Sequence, residues 1–235
     1  MCRMAYDDGV RMMAATAHQN EEWPVNTAER IRAATCALAA ALQAANVPLT
    51  VFPSAEVMVQ PAMETLWAEG RIVSIADQGR YLLVEMPHGL CVDLRATIRR
   101  LRHAGLRVIL AHPEQHEELL HEGGAIEALI AEGCLVQISA KSVTSPRNHK
   151  DLRAVRNWLQ RGVVHLLGSD GHSLRRRPPG IAAAYRQIAR WCGAAAADRM
   201  ASTHGLAVLQ GLPLEVAPPR RKRQHWFSLL GRTLP

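Results

Sequence analysis

The sequence predicts an α/β protein built on a parallel sheet or barrel. Three observations carry that expectation. Short runs of nearly continuous Val, Ile, Leu and Ala recur along the 235 residues, as in strands covered by helices on both faces. Longer segments with helix start and stop signals separate them. The two kinds alternate to the end of the chain, which is the order of a βαβ architecture. The length is ample for one large domain with a substantial core.

The elements follow in order. Residues 2–8 read as the last turns of a helix ending at Gly9, with no strand ahead of them. A barrel needs a strand and the start of that helix upstream, about thirty residues by the usual element and loop lengths. The sheet is therefore expected to lack its first strand. Strands are predicted at 10–16, 49–53, 81–86, 106–111, 134–139 and 163–169. Asn26 and Glu29 stand at capping-box spacing before an Ala/Leu-rich helix that runs to Asn46. Asp93 caps a helix over 94–104 that stops at Gly105. Helices over 122–132 and 148–161 stop at Gly133 and Gly162, glycines suited to the left-handed residue after a helix. Helices over 178–192 and 197–210 complete a domain covering residues 1–215, and residues 216–235 form a basic tail expected to be disordered.

The net charge of +7 is unevenly spread. Five of the 28 basic residues lie beyond Val216, where there is no acid, which leaves 23 against 21 in the body. That balance excludes a uniformly basic surface for coating nucleic acid. No apolar run approaches the ~20 residues of a membrane helix, and no signal peptide is recognisable at the start. The five cysteines include no CxxC pair and are odd in number. A reduced, cytoplasmic setting is the expectation.

The chemistry concentrates where strands end. The first strand runs into Thr16-Ala17-His18, the second into Ser54-Ala55-Glu56, and the third ends Leu83-Val84-Glu85. The fourth runs into Ala111-His112-Pro113-Glu114, and the sixth into Ser169-Asp170-Gly171-His172. Five of six strands thus deliver His, Asp or Glu to one rim, the rim where (β/α) barrels place active sites. Imidazoles and carboxylates without thiolates suit hard or borderline divalent ions. Several carboxylates converging on one point repel unless cations lie between them. Taken singly, each of these residues has a structural explanation: a hydrogen-bonded histidine, or a carboxylate capping a helix or pairing with arginine. One metal site accounts for all of them together.

These motifs, in this order and spacing, resemble the polymerase-and-histidinol-phosphatase (PHP) superfamily. Within it the chain is most similar to the manganese-dependent tyrosine phosphatases of bacterial capsule and exopolysaccharide operons. Gly133 through Ser139 and Arg177-Pro178-Pro179 belong to the same resemblance, which covers roughly residues 4–214. It implies a distorted (β/α)7 barrel, here lacking its first strand, with up to three Mn²⁺ ions. By position Glu56 corresponds to a bridging carboxylate, and Glu85 and His112 to the other ligands of one ion. His18 and His172 correspond to ligands of a second ion, Asp170 to a ligand of a third, and Arg177 to a phosphate-binding residue. The implied reaction is hydrolysis of phosphotyrosine by metal-activated water, with neither a protein nucleophile nor a Cys-x5-Arg loop. The implied substrate is a phosphotyrosine protein, a membrane-associated tyrosine kinase of polysaccharide export, and the implied role is control of capsule or exopolysaccharide synthesis.

Two departures accompany the resemblance. The family opens with a strand ending in His-x-His, and this sequence has none; a start placed too late and a lost segment both explain that. His88, His116 and His165 do not stand at spacings that replace the pair. Where the family carries arginine three residues after the fourth-strand histidine, this chain has Gln115. Two other readings remain open: a small-molecule phosphomonoesterase of histidinol-phosphatase type, and an inactive remnant that only binds a partner. Arg175 and Arg176 fit an anion-attracting loop or a solvated one, and Trp23 a phosphotyrosine-stacking or a surface-packed role. The tail from Pro218 to Phe227 resembles a basic-aromatic membrane contact, with a solvated terminus as the alternative.

Overall fold

In the computed structural model, residues 1–220 are described. Six strands form one sheet in the order β1-β2-β3-β4-β5-β6, every neighbouring pair parallel. They are β1 (Met12–Gln19), β2 (Thr50–Met58), β3 (Tyr81–Glu85), β4 (Arg107–Ala111), β5 (Leu135–Ser139) and β6 (Leu166–Gly168). Each step from strand to strand crosses over through helical segments, as parallel pairing requires.

The sheet is curled. In a flat sheet five inter-strand steps of about 4.8 Å would hold β1 and β6 about 24 Å apart. Yet Nε2 of His18, near the end of β1, lies 3.3 Å from Nε2 of His172, just beyond β6. The outermost strands therefore converge at their C-terminal ends, and the sheet is a barrel left open between them.

Strand periodicity divides the core. Tyr81, Leu83, Ile109, Leu135 and Leu166 fill the concave side, whereas Leu82, Val84, Val108, Leu110, Val136 and Ile138 lie under the helices. Alternate residues of a strand face opposite sides. Glu85 therefore shares the concave side with Tyr81 and Leu83, and Glu56 shares it with Ser54 and Phe52. At the bottom of this side the Tyr81 hydroxyl donates to the Leu212 carbonyl at 2.7 Å. Val208 and Leu214 pack there as well.

The helices are α1 (Cys2–Asp7), α2 (Ala28–Ala44), α3 (Met63–Ala68), α4 (Arg95–His103), α5 (Glu117–His121), α6 (Ala125–Ala131), α7 (Ala140–Thr144), α8 (His149–Arg161), α9 (Ala182–Cys192), α10 (Ala194–Asp198) and α11 (His204–Leu209). The cap of α2 is Thr27, whose side chain accepts from the Arg30 amide, rather than the expected Asn26. Asn26 instead donates its side-chain amide to the His18 carbonyl and holds the loop against β1. The helix expected over 122–132 is α6, which starts three residues later. Gly124, in the left-handed region at φ 95°, starts α6, and α5 ends before it. Residues 197–210 do not form a continuous α-helix, because a π turn at Arg199–Thr203 joins α10 to α11. As expected, Asn148 caps α8 through the Asp151 amide and Gly162 ends it at φ 74°.

Helix α9 begins four residues later than expected, after Pro178-Pro179-Gly180. Its exposed first amides are satisfied from the far end of the sequence. Asp8, just after α1, accepts from the Ile181 and Ala182 amides at 2.6 and 2.8 Å. This is an N-cap supplied at a distance, with the charge placed favourably against the helix dipole. Asp8→Ala is therefore expected to lower stability by about 1 kcal/mol, read as a reduced urea midpoint. An unchanged midpoint would show that water caps α9 equally well.

Past α11 the chain remains attached. The Arg220 amide donates to the Arg161 carbonyl, and Arg161 Nε donates back to the Arg220 carbonyl, each at 2.8 Å. The rest of the expected tail, residues 221–235, lies outside the described residues.

Candidate metal centre

The site is assembled at the C-terminal rim by the concave faces of the strands. His18 on β1 pairs in register with Glu56 on β2. Glu85 closes β3. Both strands that carry His18 and Glu56 run further than expected, to Gln19 and Met58, so these two side chains sit on rigid strand backbone rather than on loops. Gln19 anchors the end of β1: its side chain donates to the Asn26 and Arg71 carbonyls and accepts from the Val73 amide. His112 and Asp170 follow β4 and β6 in the left-handed region, at φ 33° and 52°. Non-glycine residues held there cost on the order of 1 kcal/mol each. The turn that bears this cost swings both side chains off the strand line and over the mouth of the half-barrel. Gly171 between Asp170 and His172 is needed for room: a Cβ there would stand 2.8 Å from Cα of Pro179.

The side chains form a linked set. His18 Nδ1 donates to Glu85 Oε1 at 2.9 Å, and His112 Nε2 donates to Glu56 Oε1 at 2.6 Å. His112 Nε2 is also 3.9 Å from Glu85 Oε2. One ligand atom each from His18, Glu56 and Glu85 lies within 4.8 Å of the others. His172 joins through the 3.3 Å Nε2–Nε2 contact with His18, and its own Nδ1 donates to the Asp170 carbonyl. Glu85, Glu56 and His112 are buried, whereas the half-buried His18 and the exposed His172 open the cluster to solvent.

Asp170 stands slightly apart. It accepts from Ser139 Oγ at 3.0 Å and is ion-paired with Arg177. The residue expected to hold phosphate therefore has its guanidinium on a carboxylate expected to hold a metal.

Charge and burial set the protonation of the metal-free site. Burial alone would pull His112 down, but its hydrogen bond to Glu56 and the charges of Glu56, Glu114 and Asp170 outweigh this and raise it to about 9. The Glu85 hydrogen bond raises His18 against the pull of burial. Asp170 is lowered: burial pushes it up, but the Arg177 hydrogen bond, the charges of His112 and Arg177, and Ser139 overcome that. In the metal-free protein a protonated His112 thus supplies a cation that the carboxylates require.

The donor set fits divalent ions. Oε2 of Glu85 and Nδ1 of His112 are buried with no hydrogen-bond partner among the described residues, and such atoms rarely go unsatisfied without a reason. Two nitrogens about 2.1 Å from one ion at ordinary coordination angles stand about 3.0–3.4 Å apart, and the His18 and His172 Nε2 atoms are 3.3 Å apart. The residues are imidazoles and carboxylates, as hard and borderline ions prefer.

Two further residues, present in the sequence motifs without a role assigned to them, support the site. Ser139 ends β5 and so puts a polar group at the rim on the one strand credited with none; reading all six strand ends alike would have assigned it that role. Glu114, buried, accepts from the Ser139 amide at 2.9 Å and from Ser142 Oγ at 2.8 Å, and so ties the turn after β4 to β5 and α7. Its role depends on contacts across the sheet that spacing does not reveal. Of the remaining histidines, His165 is buried and structural: Nδ1 accepts from the Val136 amide, and burial followed by the charges of Arg107 and His204 lowers it to about 4.

The fold is thus a curled parallel half-barrel with imidazoles and carboxylates gathered at its C-terminal rim, the rim where barrels of parallel strands place their sites. The chain belongs to the CpsB/CapC family of capsular polysaccharide synthesis, whose model matches residues 1–210. Among curated relatives, tyrosine-protein phosphatase CpsB of Streptococcus pneumoniae is 26% identical over 203 residues, covering 83% of each chain. Tyrosine-protein phosphatase YwqE of Bacillus subtilis (strain 168) is also 26% identical, over 75% of this chain and 70% of its own. A solved chain superimposes with a TM-score of 0.88 at 22% identity, covering 94% of this chain and 89% of that one. It comes from the crystal structures of YwqE from Bacillus subtilis and CpsB from Streptococcus pneumoniae, described as unique metal-dependent tyrosine phosphatases. That likeness establishes the fold. No helix among the described residues is long and apolar enough to cross a membrane.

Proposed function

We propose that this chain is a metal-dependent protein-tyrosine phosphatase of capsule or exopolysaccharide synthesis. The observation that carries the reading is the convergence of His18, Glu56, Glu85, His112 and His172 on one rim, with Asp170 and Arg177 beside them. Family membership and the phosphatase names of the relatives point the same way.

His18, Glu56, Glu85, His112, Asp170 and His172 are assigned as metal ligands, with Mn²⁺ as the ion to test first. Bound divalent ions there supply a Lewis acid for the phosphoryl oxygens and a source of hydroxide at neutral pH. The chain's own residues do the positioning. Ser139 and Arg177 hold the Asp170 carboxylate in one orientation. The part-exposed Arg177 is placed to meet the phosphoryl group with a planar fork of donors, the geometry that recognises phosphate. The substrate is assigned as a phosphotyrosine on a cytoplasmic segment of a membrane-associated kinase, with residues 1–215 as the catalytic domain.

The test is hydrolysis of a phosphotyrosine peptide by the full chain with and without Mn²⁺, beside His172→Ala. Turnover that requires Mn²⁺ and disappears in the variant is the expected result. Turnover that survives in His172→Ala, or faster release of phosphate from histidinol phosphate than from phosphotyrosine, would remove this reading.

A further inference from the structure

A cavity of about 320 Å³ opens beside the metal centre on the β5–β6 side, lined among others by Glu114, Ser139, Lys141, Arg147, Asp170 and Arg177. Its carboxylates and its cations are arranged differently. Glu114 and Asp151 are buried and Asp170 is half-buried; each already has hydrogen-bond partners, although Oε2 of Glu114 has none among the described residues. Glu114 is held by the Ser139 amide and Ser142, and Asp170 by Arg177 and Ser139. Asp151, also lining the cavity, takes bonds from His121, Arg147 and Asn148. The cations stand at the mouth.

Two segments contribute cations to that lining, Lys141 and Arg147 from one and Arg177 from the other, and both segments are basic. Residues 140–150 carry Lys141, Arg147 and Lys150, residues 172–180 carry Arg175, Arg176 and Arg177, and neither segment contains an acid. Lys141, Arg147, Lys150, Arg175 and Arg176 are exposed. Among the described residues Lys141, Lys150, Arg175 and Arg176 have no carboxylate at ion-pair distance, while Arg147 donates through Nε to Asp151 and through Nη1 to the Gln115 carbonyl. The concentration is local: the loop after β1 carries Glu21 and Glu22, and α5 with the residue after it carries Glu117, Glu118 and Glu122.

We infer that this cavity and its two basic segments form a docking subsite for acidic residues that flank the phosphotyrosine, making an acidic peptide segment the preferred substrate. The inference rests on the phosphatase reading and adds the class of sequence it selects. Unpaired surface cations around a concave site attract anions from a distance of about a Debye length, and each exposed contact adds a modest increment once the ligand is bound.

The experiment compares three phosphotyrosine peptides, flanked by glutamate, alanine or lysine, on the Mn²⁺-loaded chain. A labelled non-hydrolysable phosphonate analogue of each provides a binding readout. The glutamate peptide should show a KM roughly tenfold below the alanine peptide, a gap that closes as salt is raised. In Lys141→Glu/Arg176→Glu the preference should invert toward the lysine peptide, an outcome that misfolding cannot mimic. Turnover of phosphotyrosine with no flank preference, or a preference unaltered in the double variant, would overturn the docking subsite. Failure to turn over any of the three, with the binding preference and its inversion intact, would instead remove the phosphatase reading and leave the subsite standing.

Discussion

Glu85→Ala is expected to abolish tight metal binding and, with it, turnover. Glu85 is 1% exposed and touches the site twice: Oε1 accepts from His18, and Oε2, unpartnered, faces His112. Loss of a group that merely orients a ligand costs about 10–100-fold in metal affinity. A carboxylate placed to bind directly should therefore cost more than about 100-fold, read as Mn²⁺ affinity by calorimetry and independently of any substrate. The change also removes the main reason His18 is held above its ordinary value, so the imidazole should titrate lower in the metal-free variant, visible in its ring-proton NMR shifts. Wild-type Mn²⁺ affinity in Glu85→Ala would show that Glu85 serves His18 alone. Glu85→Gln separates the two parts, since the amide keeps an acceptor for His18 but loses the charge.

Metal affinity should rise steeply with pH. A histidine ligand binds as the neutral ring, but in the metal-free protein His112 is raised to about 9 by Glu56 and the neighbouring carboxylates despite its burial, and His18 is raised as well. At neutral pH an incoming ion must displace the His112 proton. With one proton released, the apparent affinity gains about tenfold per pH unit below 9, or about a hundredfold between pH 6 and 8. Calorimetry in buffers of different ionisation enthalpy would count the protons directly. A pH-independent affinity would mean that His112 is neutral before the metal arrives. The metal-free fold should respond in the opposite sense. The His112 value lies above that of an unfolded histidine, so its contribution to stability is complete below about 6.5. That contribution fades as pH rises through about 9. The melting temperature of the chelated protein should accordingly fall between pH 7 and 9.

The sheet was legible because its strands are continuous apolar runs ended by glycine-stopped helices; all six strands were found. Their ends were less legible. Leu49–Pro53 reads as a complete strand because Pro53 looks like a terminator, yet β2 continues to Met58. Proline is tolerated inside it, and Ser54 is drawn into the structure by donating partners elsewhere, accepting from the Ala76 amide. Helix α3 had no signal to find: it is six residues long and starts from Ala62 in the left-handed region, without a capping side chain.

The site divides along the same line. Residue type and position at a strand end are properties of the local chain, so His18, Glu56, Glu85, His112, Asp170 and His172 could be named from the sequence as one rim. Which of them touch was settled only by the curl of the sheet. Residues 18 and 172 are 154 positions apart, and the convergence of the outermost strands brings their rings to 3.3 Å. Contacts between neighbouring strand ends and within one loop do the rest: Glu114 meets β5 and α7, Ser139 reaches Asp170, and Arg177 folds back onto Asp170. The docking cavity lies between segments whose basic character was visible in the sequence, but whose common rim was not. A period-2 pattern states which face a side chain takes; the distance between two faces depends on how far the whole sheet bends, and that is a sum over every strand pair.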